Sequence, residues 1–146
     1  MAPRTATLAD IDPLLALQRE FCEHEGYPFD VEGKRRAMAE LLANPAYGRI
    51  VAFEVDGTVA GYLVVAFGFS LEFGGRDAFV DELFVLPSAR GRGLGTLALE
   101  HAEQLCRENG IHALHLEVEF VNESAKRLYA RHGYAEHTRQ LMTKRL

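Results

Sequence analysis

The stretch from Ala78 to Phe120 constrains the fold more than any other part of the chain. An apolar run, Ala78 to Leu86, leads into the hexapeptide RGRGLG at residues 90–95, then into a helical period from Gly93 to Asn109, and then into a second strand-like run from Ile111 to Phe120. Leu94, Leu97, Ala98 and Leu105 fall on one face of the middle segment, and Gly110 supplies its stop. Strand, glycine loop, helix and strand make a βαβ unit, so the two strands lie parallel with the helix packed across them.

The segments before this unit carry different signals. Ile50 to Val55 and Thr58 to Phe67 are β-branched and apolar, and Asp56-Gly57 between them is a two-residue hairpin signal that makes the pair antiparallel. Arg4 to Ala6 reads as a short first strand. Asp10 is placed to cap a helix that tolerates Pro13 in its first turn and repeats Leu14, Leu17 and Phe21 on one face. Asp30 caps a second helix carrying Ala37, Met38, Leu41 and Leu42, which Asn44-Pro45 ends. After the βαβ unit, a last helix spans about Asn122 to His132, and Gly133-Tyr134 and Gln140 to Leu146 supply one or two closing strands. The expected fold class is therefore α/β, with a mixed central sheet of six to seven strands and about four flanking helices. At 146 residues, 48% of them hydrophobic, the chain suits a single domain over residues 1–146.

Charge and cysteine usage remove several function classes. Sixteen Lys and Arg stand against 21 Asp and Glu, a net charge of −5, and no block of like charge offers a nucleic-acid backbone a grip. Cys22 and Cys106 are far apart and form no CxxC pair, which fits a reducing, cytoplasmic setting without disulfides or a zinc site. No apolar leader or membrane-length run occurs, so neither export nor membrane insertion is expected. His112 and His115 alternate across one expected strand and have no metal-ligand spacing, so no metal is expected.

The hexapeptide points to a phosphate. Glycines let the backbone come close to a ligand, arginine forks match phosphate oxygens, and a helix start presents free amides and a positive dipole end. A dinucleotide fingerprint fails by one residue: Gly91, Gly93 and Gly95 read GxGxG, and Thr96 holds the sixth place. An NTP-binding P-loop fails because no Gly-Lys-Ser/Thr follows.

Arg90, Gly93 and Gly95 fit the pattern Arg/Gln-x-x-Gly-x-Gly/Ala. Asp81-Glu82-Leu83-Phe84-Val85 precedes them, and Asn122-Glu123-Ser124-Ala125-Lys126-Arg127-Leu128-Tyr129 with His132-Gly133-Tyr134 follows. With these three motifs in this order, the chain resembles the GNAT superfamily of acetyl-CoA-dependent N-acetyltransferases over essentially its whole length. The resemblance implies a GNAT-like domain that transfers an acetyl group from acetyl-CoA to a primary amine, on a small molecule or a peptide, by direct attack in a ternary complex. An alternative is a non-catalytic acyl-CoA-binding or interaction module of the same fold. Dimers are common in the family, so a homodimer is compatible with it.

The resemblance also implies roles for residues. Arg90, Gly91, Arg92, Gly93, Leu94, Gly95 and Thr96 would cradle the pyrophosphate of coenzyme A. Leu83, Phe84 and Val85 would offer a backbone amide to the thioester carbonyl where two parallel strands splay. Asn122 and Lys126 would contact the cofactor from the last helix, and Tyr129 would protonate the departing thiolate. An ammonium that titrates near about 10.4 must lose a proton before it attacks, which calls for a base. Asp81 is the first choice and Glu82 the second. Simple alternation puts Asp81 with Phe79, Leu83 and Val85, puts Glu82 with Val80, Phe84 and Leu86, and lets only one of the two acids face the pocket. The loops His24–Tyr27 and Phe69–Gly75 are expected at the acceptor end.

Overall fold

A computed structural model describes residues 2–146. In chain order the elements are β1 (Ala2–Thr5), a 3-10 turn (Leu8–Asp10), α1 (Ile11–Glu25), α2 (Val31–Ala43), β2 (Gly48–Val55), β3 (Thr58–Ser70) and β4 (Gly75–Val85). A second 3-10 turn (Pro87–Ala89), α3 (Leu94–Glu108), β5 (Ala113–Leu116) and α4 (Glu123–Arg131) complete them.

The strands lie in sequence order, β1-β2-β3-β4-β5, with antiparallel pairing up to β4 and parallel pairing between β4 and β5. Asp56 (φ 51°) and Gly57 (φ 75°) form the β2–β3 turn, and their positive φ values match the right-handed twist of the strands they join. One face of the sheet packs Val51, Phe53, Leu63, Val65, Ala78 and Val80 against Leu94, Ala98, Ala102 and Leu105 of α3. The other packs Ile50, Tyr62, Val64 and Phe84 against Leu14, Leu15, Leu17 and Met38 of α1 and α2. A sheet covered on both faces explains why β2 and β3 read as near-continuous apolar runs. Among the described residues no helix is long and apolar enough to cross a membrane.

The expected number of strands is corrected: among the described residues the sheet has five, where six to seven were anticipated. The expected strand from Ile111 to Phe120 pairs only over Ala113–Leu116, and no strand forms after α4. Arg139 makes a bidentate pair with Glu72 in the β3–β4 turn, at 2.6 and 2.7 Å, and this holds the tail toward that turn instead of along the edge of β5. Leu141 and Met142 are left exposed.

Asp30 caps α2 as anticipated, its carboxylate accepting the Gly33 N–H at 3.1 Å. Asp10 acts differently. Its carboxylate accepts from the Arg4 guanidinium at 2.7 and 2.9 Å and from the Thr7 N–H at 2.7 Å, so it ties β1 to the start of α1 and makes no cap bond to the helix. The Arg4 hydrogen bonds, followed by the Thr7 amide, hold its carboxyl far below the usual carboxylate range. Asp10→Asn is expected to lower stability at pH 7 by about 1–2 kcal/mol, a modest figure because Arg4 stays partly open to water. Since the folded-state pKa is depressed, the wild-type advantage is present above about pH 4 and fades as the pH falls below it. Urea unfolding of both proteins at pH 7 and pH 2.5 checks this, and an equal gap at the two pH values would refute it.

Candidate active site

The site begins with an irregularity in β4. Val64 of β3 pairs with Glu82 and Val65 pairs with Val80, so Asp81 is left without a partner as a β-bulge. The extra residue resets the side-chain alternation. Val80 and Leu83 both pack on the α3 face, while Glu82 lies with Phe84 toward α1. The strict alternation expected from sequence therefore fails here, and so does its corollary that only one acid can face the pocket. Asp81 and Glu82 both line a single cleft of about 620 Å³.

The cleft exists because β4 outlasts its parallel neighbour. Pairing with β5 ends at Val80 and Leu116, yet β4 continues to Val85, and the chain from Glu117 to Phe120 swings away as the opposite wall. The edge of β4 from Asp81 to Val85 is thus open on the side that β5 vacates. Phe21, Glu25 and Tyr27 close one end, Lys34 of α2 adds a cation, and Asn122 and Tyr129 enter from the α4 side. From the segment 24–27, Glu25 in the last turn of α1 and Tyr27 after it reach the cleft. The Phe69–Gly75 loop does not, because the long arms of the β3–β4 hairpin carry its tip to the far end of β4.

The two acids differ in surroundings. Asp81 is exposed. Glu82 is partly buried, and its Oε2 accepts from the Tyr62 hydroxyl at 2.9 Å and from the Gln18 side-chain amide. Burial pushes the Glu82 carboxyl up from its ordinary value, and the Tyr62 hydrogen bond pulls the other way. Gln18 and Tyr62 were not singled out from sequence. One signal was available: Gln18 follows Leu14 by one helical turn, which puts an amide on an otherwise apolar stripe.

The loop after β4 leaves a run of backbone amides free at the start of α3. Arg90 donates through Nε to the Val85 carbonyl at 2.9 Å, and its guanidinium lies 5.9 Å from the centre of the Phe84 ring, so this arginine fastens the loop to the strand. Gly91 (φ 76°) and Gly93 (φ 78°) take left-handed conformations that other residues adopt only at a cost. The first amide returned to the helix is that of Leu97, bonded to the Gly93 carbonyl at 3.0 Å. The amides of Gly91, Arg92, Gly93, Leu94, Gly95 and Thr96 have no acceptor among the described residues. Six consecutive free donors at the positive end of α3, beside exposed Arg92, fit a diphosphate. At Gly95 a Cβ would come within 3.1 Å of the Leu128 side chain, so glycine there lets α4 approach α3.

On α4, the Asn122 Oδ1 caps the helix by accepting the Ala125 N–H at 3.1 Å, and the Lys126 ammonium lies 3.3 Å from Glu123. Tyr129 is half-buried with its ring edge-on to Tyr134, and burial raises its hydroxyl pKa above the ordinary phenol value. His112 and His115 behave differently from the expectation of opposite faces: His112 precedes β5, and both line a second cavity of about 410 Å³ beside the C-terminal half of α3. His115 lies 3.1 Å from buried Asp77. Among the described residues no three His, Cys, Asp or Glu side chains are grouped to hold a metal ion.

Residues 12–134 match the model of the acetyltransferase (GNAT) family. An uncharacterized N-acetyltransferase of Bacillus subtilis is 31% identical over 92% of this chain and 88% of its own. The aminoalkylphosphonate N-acetyltransferase of Salmonella typhimurium is 30% identical over 91% of this chain and 84% of its own. Among solved structures, an integron cassette protein from the mobile metagenome of Cole Harbour Salt Marsh superposes with a TM-score of 0.89 at 37% identity, covering 99% of this chain and 90% of that one. With a family match over most of its length, and an open β4 edge that leads into an amide-lined loop, the chain belongs to the GNAT family of acetyltransferases.

Proposed function

We propose that this chain, as one domain over residues 1–146, transfers the acetyl group of acetyl-CoA directly to a primary amine while both substrates occupy the β4–β5 cleft. The observation that carries the reading is the open edge of β4 from Asp81 to Val85, which runs from the acids at one end to the amide-rich loop at the other. An extended thioester arm laid along that edge takes main-chain hydrogen bonds as an added strand does. Arg90, Gly91, Arg92, Gly93, Leu94, Gly95 and Thr96 bind its diphosphate. Leu83, Phe84 and Val85 line the arm and aim a backbone amide at the carbonyl oxygen as charge develops there. Asn122 keeps its side-chain NH₂ for the arm, and Lys126 adds charge beside it.

Glu82 takes the proton from the ammonium. It is preferred to Asp81 because Gln18 and Tyr62 fix the Glu82 carboxyl in place and burial raises it from its ordinary value, whereas Asp81 is exposed and unheld. The neutral amine then attacks the carbonyl carbon, the C–S bond breaks as the Tyr129 hydroxyl gives its proton to the sulfur, and the surplus proton on the acylated nitrogen returns through water to the tyrosinate, leaving a neutral amide, free thiol and a protonated Glu82 that discharges to solvent. Glu25, Asp81, Glu82, Glu117 and Glu119 line the cleft against Lys34, the one cation among the described residues that line it, a field that favours a cationic acceptor. The Salmonella relative is named for an acceptor that bears an amine, which agrees with this reading.

A thiol-release assay over a panel of diamines, amino acids, aminoglycosides and amino-terminal peptides tests the reading: free CoA above background with at least one amine is expected. Acetyl-CoA binding without release across the panel would favour a binding module. In a separate thermal-unfolding measurement coenzyme A should raise the melting temperature of the wild type, and Gly93→Asp with Arg92→Glu should abolish that rise by placing negative charge in the amide cradle. A full rise in the double variant would move the phosphate site elsewhere.

A further inference from the structure

Three side chains from three elements meet where Glu82 leaves the cleft wall for the interior: buried Gln18 from α1, buried Tyr62 from β3 and Glu82 from β4. Gln18 Nε2 donates to the Tyr62 hydroxyl oxygen at 3.0 Å and also to Glu82 Oε2, and the Tyr62 O–H donates to that same Oε2 at 2.9 Å. The triangle is closed, and its polarity is forced. An ionised carboxylate only accepts, so both neighbours must turn donors toward it, and the Tyr62 oxygen is then free to receive the second Gln18 N–H.

We infer that Gln18 and Tyr62 are positioning residues for the transfer: together they grip Oε2 of Glu82 and leave Oε1 as the oxygen presented to the acceptor amine. The inference rests on the reading of Glu82 as the base. Glutamate has three rotatable bonds, and a base that swings among them meets the ammonium in only some of its conformers. Two donors on one oxygen remove that freedom without occupying the other oxygen.

Gln18 carries the mark of this arrangement. The residue is 5% exposed, and its Oε1 is buried with no hydrogen-bond partner. Packing alone does not ask for an amide here, since Leu14, Leu15 and Leu17 fill the surrounding face of α1. The flipped amide would set its oxygen against the carboxylate. An orphaned acceptor is the consequence of committing the nitrogen to Glu82 and Tyr62.

Other groups act on Glu82 as well. Burial raises its carboxyl, while Tyr62, Lys34 of α2 and Gln18 lower it and neighbouring Asp81 raises it. Glu25 from α1, Glu117 and Glu119 from the wall after β5, and Tyr129 from α4 share the cleft, and Cys22 lies near Tyr62. Burial first, then the Glu82 charge, holds the Tyr62 phenol far above its ordinary value, so it remains a donor and passes on no proton of its own.

Tyr62→Phe keeps the ring and removes the donor that favours the charged carboxylate. The acid limb of the kcat/KM profile, taken with the most active amine of the panel, is therefore expected to move to higher pH. The loss should be roughly threefold to tenfold on the acid side and shrink to within about twofold above the limb. The KM for acetyl-CoA should not change. Gln18→Leu should shift the limb the same way by less, and it provides the test if Tyr62→Phe does not fold. A carbon-13 titration of the Glu82 carboxyl, which needs no acceptor, should show the same upward movement in both variants. A limb and a titration midpoint left in place in the folded variants, with activity lowered equally at every pH, would reduce the pair to packing. Glu82→Gln distinguishes a failed clamp from a failed base assignment. If it abolishes the limb while the clamp variants leave it unmoved, only the clamp fails; if it retains the limb, the limb belongs to another group and the base assignment fails with it.

Discussion

Glu82→Gln is expected to lower turnover with a primary amine by about 10²- to 10⁴-fold near neutral pH, the range that general-base catalysis supplies. The amide has nearly the shape of the carboxylate but cannot accept the ammonium proton. Acetyl-CoA binding should stay near wild type, because Glu82 lies at the acid-lined end of the cleft and the amide cradle lies beyond Val85. The pH dependence has a definite sign. Wild-type activity should rise with pH as Glu82 ionises, from a pKa that burial holds above the ordinary carboxylate value. In the variant that limb should vanish, leaving a residual rate that climbs toward the amine's own pKa near about 10.4 as free amine accumulates. Asp81→Asn is the control. Asp81 is exposed at the bulge, so its loss should cost only a few-fold, mostly in the KM for the amine. A larger loss in Asp81→Asn than in Glu82→Gln would return the base to the bulged residue.

Tyr129→Phe should keep the fold and coenzyme A binding and lose roughly 10- to 1,000-fold in turnover. The ring, packed edge-on against Tyr134, is retained, so the variant removes the hydroxyl alone. Burial raises the Tyr129 pKa, which keeps the phenol protonated in the working range and ready to meet a thiolate. The loss is smaller than for the base because a thiol of pKa near about 8.5 leaves with less help than an alkoxide. It should narrow at high pH, where the thiolate departs unprotonated. Wild-type turnover at pH 7 in Tyr129→Phe, measured by thiol release, would leave Tyr129 as a packing residue.

Much of the framework is legible in the sequence. Asp56-Gly57 announced its hairpin because only residues that tolerate positive φ fit a two-residue turn. Leu94, Ala98 and Leu105 announced the buried face of α3 through their spacing, and three motifs in order identified the family. The closing strands were less legible. Alternating residues at 140–146 are compatible with a strand, but a strand needs a partner edge, and whether the tail lies along β5 depends on a pair such as Arg139–Glu72 between residues far apart in the chain.

The candidate site divides along the same line. Local chemistry along the chain determined that glycines and arginines stand at the start of a helix, that two acids sit side by side on the strand before it, and that a tyrosine follows Asn122 by about two turns. The tertiary structure decided which of these groups meet. A bulge is a mismatch between two strands, so nothing within β4 reveals that Asp81 is the unpaired residue or that both acids turn to one cleft. Burial is likewise a property of neighbours: Glu82 differs from Asp81 because α1 and β3 bring Gln18 and Tyr62 against it and exclude water. Sequence encodes what is near along the chain. Proton affinity and an open strand edge arise from what is near only in space.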